Sequence, residues 1–237
     1  MAVHIGRFAV LMLALTVAPL IGISGWYMGL FANVACVLYA VVLVTVRRLW
    51  RTSGILVGWR GPRAAIVLLV LIAEVLVWAV PGGLENRPPG YGLWALTLLL
   101  VGINEELTSR VVVLERLRAA FGPLSAVVLT AALFGLQHLS AFATTGRDAV
   151  DIAGNIVVSA CTGFALVAFQ YRYRWVTPLI LVHAAADFTA ILSLRPLADL
   201  AIAATAVGFV ALGLVILGRQ LGRPQNELSS PPSSPVP

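Results

Sequence analysis

The sequence predicts an all-α polytopic membrane protein: a bundle of about eight transmembrane helices forming a single domain over residues 1–218. Three observations lead there. Hydrophobic residues make up 60% of the 237-residue chain and charged residues only 11%, against roughly 25% charged in a soluble domain. Mean hydropathy is +0.96, more apolar surface than a soluble fold of this size can hide. The apolar residues also fall into stretches of spanning length, separated by glycine and proline. This composition excludes a nucleic-acid-binding domain, a disordered chain and an ordinary soluble enzyme.

Taken in order, eight segments fit a membrane crossing: about 8–25, 27–46, 64–81, 91–108, 123–140, 152–170, 175–193 and 198–217. Gly22, Gly25 and Trp26 part the first two. Pro81-Gly82-Gly83 and Pro88-Pro89-Gly90 part the third from the fourth, and Gly122-Pro123 opens the fifth. The start, Arg7 followed by an apolar run, resembles a signal peptide. No A-x-A-like site follows and another span comes at once, so it is expected to stay as the first helix. Residues 219–237 are rich in proline and serine and are expected to form a disordered tail. Cys36 and Cys161 both lie in apolar runs, without metal or disulfide spacing. No convincing internal repeat appears, which argues against a transporter built from duplicated halves.

Orientation follows from the arginines, since the chain has no lysine. Arg7, Arg47, Arg48, Arg51, Arg60, Arg63, Arg110, Arg116, Arg118, Arg172, Arg174, Arg219 and Arg223 share one side if the N-terminus is cytoplasmic. Only Arg87, Arg147 and Arg195 fall on the other. Thirteen against three predicts cytoplasmic N- and C-termini. The compact, all-arginine chain points to a bacterial cytoplasmic membrane.

Ionisable residues at depth carry the functional information, because each costs roughly 2.5–3.5 kcal/mol at a helix centre. They are Glu74, Glu105, Glu106, Arg110, His138, His183 and Asp187. His4 is terminal and reads as incidental. Glu106 and Arg110 stand at i, i+4 and can pair, which leaves Glu105 as an uncompensated carboxylate suited to a general base. His183 and Asp187 are also i, i+4, so the carboxylate can orient the imidazole or share a ligand. If the fourth segment continues as a helix to about residue 120 and turns at Phe121-Gly122-Pro123, Glu105 and His138 lie almost equidistant from the turn and become neighbours. His183, about nine residues into its span, sits roughly 13 Å deep. Charged groups at that depth line a wet cavity. Glu74 reads as a structural acid or a substrate-path group, and Asn155 as interhelical glue.

Three motifs, each on its own segment and in order, resemble the signature of the CPBP family of intramembrane proteases, the group of type 2 CAAX prenyl proteases and bacteriocin-processing (Abi) proteins. E-E-x-x-x-R matches Glu105, Glu106 and Arg110. F-x-x-x-H matches Phe134 and His138. H-x-x-x-N matches His183, with Asp187 in the last place. The resemblance covers about residues 91–195 and implies proteolysis within the membrane. It implies that Glu105 activates water with help from His138, while His183 and residue 187 stabilise the oxyanion. An ionised Asp187 cannot donate to an oxyanion; it must be protonated, orient His183 or ligate a metal. Two mechanisms stay open. One is a zinc centre held by His138, His183 and Glu105 with water in the fourth position. The other is a metal-free, glutamate-dependent hydrolase.

Other intramembrane proteases fit less well. There is no H-E-x-x-H and no G-x-G-D. Gly22-Ile23-Ser24-Gly25 matches a G-x-S-G pattern, but in a turn away from the histidines. The expected partners are a membrane-anchored or prenylated-type peptide or protein substrate and the lipid bilayer, with no nucleic acid. The competing classes are a non-enzymatic membrane protein, such as a bacteriocin-immunity factor or regulatory scaffold, and a proton-coupled transporter.

Overall fold

A computed structural model describes residues 1–79 and 82–221, without the side chains of Glu74, Arg219, Gln220 and Leu221. The expectations for a role of Glu74, for the break at Pro81 and for the tail from 222 onward lie outside the described residues. What is described is all-helical apart from one isolated bridge. The long helices are α1 (Ala2–Leu20), α2 (Trp26–Val46), α4 (Pro62–Ala79), α5 (Tyr91–Glu106), α7 (Pro123–Leu136), α9 (Ala149–Tyr173), α10 (Val176–Leu192) and α11 (Asp199–Leu221). Short helices α3 (Trp50–Ser53), α6 (Leu114–Arg118) and α8 (Ala141–Thr144) lie between them. Each predicted span therefore has a helical counterpart. Among the described residues six stretches are long and apolar enough to cross a membrane: Ala2–Leu20, Trp26–Val46, Pro62–Ala79, Pro123–Thr144, Ala149–Tyr173 and Asp199–Gly218. α10 is apolar but 17 residues long.

Local chemistry sets the helix ends. Pro123 occupies the first turn of α7, where its missing N–H costs nothing. Asp148 caps α9, accepting from the Asp151 N–H at 2.8 Å. Arg174 ends α9 in the left-handed conformation, with φ 47°. The fourth segment runs on as predicted but not as a plain α-helix. After α5 comes a seven-residue π-helical stretch, Leu107–Val113, and then α6. Such stretches favour functional sites, because the wider turn re-aims side chains.

Packing follows small residues. α10 lies on α5 at Gly102, where an added Cβ would stand 2.8 Å from the Ile180 carbonyl oxygen. α7 lies on α9 at Gly135, where it would stand 2.6 Å from the Ile156 carbonyl oxygen. Backbones meet here because nothing separates them, as membrane helices favour. α1 packs on α2, α2 on α5, and α11 on α9. Residues such as Leu13, Leu38, Leu69, Val207 and Val215 point outward and exposed, the surface expected against lipid chains.

Among the described residues, several of the arginines read as cytoplasmic loop charges lie near one another, and two are not loop charges at all. Arg174 binds Glu115 at 3.0 Å, Arg60 donates to the Arg174 carbonyl, and Arg47 and Arg116 line one cavity of about 460 Å³. The 82–90 loop pairs with 193–195 through Glu85 N–H to Leu192 O and Leu194 N–H to Gly83 O, which brings Arg87 and Arg195 to one region. Arg7 and Arg110 are the two outside the loops. Both are buried, at 7% and 0% exposure, so neither is a loop charge. Without them the asymmetry is still eleven against three.

Candidate active site

The three motif segments meet at one point. Glu105 and Glu106 stand at the end of α5, Arg110 in the π stretch, Phe134 at the end of α7, His138 in the 3-10 turn Gln137–Ser140, and His183 and Asp187 on α10. Phe134 is the hub. Arg110 lays its guanidinium over the ring, 3.7 Å from its centroid. His138 and His183 both meet that ring near right angles, with centroids 5.6 and 5.8 Å away. A guanidinium on a desolvated aromatic face gains about 2 kcal/mol. Gly163 of α9 leaves the ring its room, since a Cβ there would lie 2.8 Å from Phe134.

The two glutamates are held differently. Glu106 is fully buried. Its Oε1 accepts from His183 Nδ1 at 2.8 Å, and its Oε2 faces Arg110 Nε at 3.2 Å. The pairing predicted for Glu106 and Arg110 is present. Glu105 was expected to stand uncompensated, and it does not. Arg7 of α1 donates from Nη2 to Glu105 Oε1 at 2.7 Å, and from Nε to Asn104 Oδ1 at 2.7 Å. Gln137 Nε2 donates to Glu105 Oε2 at 2.8 Å. The sequence reading failed because an arginine near an N-terminus looks like a membrane-flanking charge. His4, read as incidental, is also buried, at 9% exposure.

Each histidine has one nitrogen assigned. His138 Nδ1 lies 3.3 Å and 3.2 Å from the Phe134 and Gly135 carbonyl oxygens. It therefore donates there and leaves Nε2 free for a partner. His183 gives Nδ1–H to Glu106, and its Nε2 faces Asp187 Oδ2 at 3.5 Å and Glu105 Oε2 at 3.8 Å. The cluster holds two arginines and three carboxylates, Asp187 meeting only His183, so one further proton makes it neutral. A low-dielectric setting favours that neutral state. Each Glu105 oxygen accepts one hydrogen bond and keeps a lone pair for water.

Both Glu105 oxygens are held by N–H groups, and the His183 nitrogens both face carboxylates. Among the described residues no group of three His, Cys, Asp or Glu side chains is placed to hold a metal ion. Asp187, with its side chain 35% exposed, lies against His183 rather than alone in an oxyanion pocket. The Ser24 of the G-x-S-G pattern lies in the turn between α1 and α2.

Residues 88–189 match the model of the family described as type II CAAX prenyl endopeptidase, Rce1-like. Over that segment, somewhat under half of its length, the chain is similar to the CAAX protease family. The match runs from just before α5 to Thr189 of α10 and so takes in every motif residue above. It leaves out α1, which supplies Arg7. Neither the curated proteins nor the solved structures gave a match. The family is one of proteases, and its residues here lie among membrane-crossing helices. The chain is thus an integral, multi-pass membrane protein whose central segment is similar to CAAX-type endopeptidases.

Proposed function

We propose that this chain is an intramembrane endopeptidase in which Glu105 activates water, with the histidines handling proton and charge, and without a metal. The observation that carries this reading is the Glu105 carboxylate itself. It is held at both oxygens by N–H donors, retains lone pairs for water, and lies beside His183 and the segment bearing His138. A bound water gives its proton to Glu105 as its oxygen bonds to the scissile carbonyl carbon. The C–N bond then breaks, and the same proton passes to the leaving amine. His138, with Nε2 free, orients the water. His183, when it carries the cluster's shared proton, offers Nε2–H to the oxyanion. Asp187 steadies that proton and is not itself the oxyanion donor. Glu106 and Arg110 keep His183 and Phe134 in place.

The substrate is a membrane-anchored or prenylated-type peptide. Its cleavage site would enter from the arginine-rich end, which we assign to the cytoplasm. All eight helices cross the membrane in this reading, with the fourth crossing continuing through the π stretch, and both termini are cytoplasmic. The test uses detergent-purified protein and a quenched fluorogenic peptide ending in a farnesyl-cysteine tetrapeptide. Wild type should cleave it with or without a zinc chelator, and Glu105→Gln should lose at least about 10³-fold in rate while remaining inserted and folded. Chelator inactivation reversed by zinc would replace the metal-free mechanism. Wild-type rates in Glu105→Gln would remove the assignment of Glu105 and favour a non-enzymatic protein.

A further inference from the structure

Helix α1 lies outside the matched family segment, yet it reaches into the site. Arg7 and His4 stand three residues apart, on one face of α1. The fork of Arg7 spans two consecutive residues of α5: Nε binds Asn104 Oδ1 and Nη2 binds Glu105 Oε1, both at 2.7 Å. Asn104 is fully buried and is held from its other side by Asn33 Oδ1 at 3.3 Å and the Leu100 carbonyl at 2.9 Å. His4 lies near Gln137, where α1 meets the 137–140 turn. Its two ring nitrogens and Gln137 Oε1 are buried without a hydrogen-bond partner among the described residues. Gln137 gives its Nε2–H to the second Glu105 oxygen. α1 is itself fixed, since Tyr39 of α2 donates to the Val3 carbonyl at 3.0 Å.

An arginine turned into an apolar bundle is costly unless paired, and a flanking charge would turn outward. Arg7 instead spends both contacts on the residue proposed as base and on its neighbour. Lysine would preserve the charge but lacks the planar fork whose separate Nε and Nη2 donors meet the two oxygens. We infer that α1 completes the active site: Arg7 is a positioning residue that fixes the orientation of the Glu105 carboxylate, with His4 backing Gln137 at the other oxygen. This inference rests on the proposed function of Glu105. A loosened carboxylate still binds water, but not at the angle that serves a carbonyl, and a misplacement of about 1 Å can cost about 100-fold in rate.

The experiment uses the full chain in detergent with the farnesylated fluorogenic peptide, rates being normalised to the folded fraction from size-exclusion chromatography. Arg7→Gln should lower kcat about 100-fold with KM nearly unchanged, and Arg7→Lys should recover part of the loss. Arg87→Gln, which breaks an exposed pair with Glu85, should match wild type. In a Glu105→Gln background, Arg7→Gln should remove nothing further, because the two act as a unit. Should Arg7→Gln fail to fold, Arg7→Lys and the doubly neutral variant carry the test. Wild-type kcat in Arg7→Lys and Arg7→Gln, or a loss accounted for by unfolded protein alone, overturns the inference while Glu105→Gln stays inactive. Full activity in Glu105→Gln, or none in wild type, overturns the proposed function and this inference together.

Discussion

Two charged clusters lie along the same hairpin and differ in what surrounds them. In the deeper one, Glu105, Glu106, Arg7, Arg110 and His183 have side chains at most 10% exposed. In the other, beyond the π stretch, Glu115 binds Arg174 at 3.0 Å and lies 3.9 Å from Arg118, at 21–37% exposure. The second cluster joins chain ends. Arg60 reaches the Arg174 carbonyl, Trp175 Nε1–H the Val57 carbonyl at 2.7 Å, and Thr177 Oγ1 the Ile55 carbonyl. It contains no histidine, and water screens it. The deeper cluster joins its charges to two imidazoles and an aromatic ring with little solvent to share the load. An ion pair alone therefore marks nothing. Depth and a proton-carrying neighbour separate the proposed reactive site from a fastening.

Breaking each cluster should show the difference, and the largest effect belongs to Glu106. Glu106→Gln leaves Arg110 buried without its counter-charge and frees His183 Nδ1. Unfolding in detergent should show a loss of about 3–5 kcal/mol, together with loss of cleavage by whatever folds. Phe134→Leu removes the surface that Arg110 and both histidines share. Cleavage should fall about tenfold or more, with a smaller stability loss of about 1–2 kcal/mol. Asp187→Asn sharpens the comparison, because it removes a charge without changing shape. If Asp187 only steadies His183, the variant should keep activity within about tenfold, since a partly exposed pair is worth roughly 1 kcal/mol. Complete loss would mean that the anion itself takes part. The smallest effect belongs to the outer cluster. Glu115→Gln should cost roughly 0.5 kcal/mol and leave the normalised cleavage rate unchanged. A large drop in that rate would erase the distinction between the two clusters.

Much of the deeper cluster was legible because charge in an apolar segment is conspicuous. Glu105, Glu106, Arg110, His138, His183 and Asp187 needed no structure to be picked out, and Gly122-Pro123 marked the turn at which α7 folds back on α6 and the π stretch. Arg7 and His4 were hidden by position, since near an N-terminus a basic residue has an ordinary reason to be there. Only the contact of α1 with α5 tells an inward arginine from a flanking one. Asn104 and Gln137 were overlooked because a neutral amide beside a charged motif residue looks like filler, yet each takes part in holding Glu105. The π stretch has no compositional signature. Leu107–Val113 reads as a continuous helix until its hydrogen bonds are traced.

That stretch has a consequence for the spacing of the two clusters. In an α-helix each residue advances the chain by about 100° around the axis; in the wider π turn it advances less. Glu106 and Glu115 are thus held in a rotational phase that nine plain α-helical steps would not give. Were one residue lost from Leu107–Val113, the stretch would tend to relax to α-helix. Glu115 would then swing around the axis, away from Arg174, while Glu105 and Glu106 stayed where α5 puts them. The number of residues between the two clusters acts as a gear ratio, and insertions or deletions are tolerable only where they leave it unchanged.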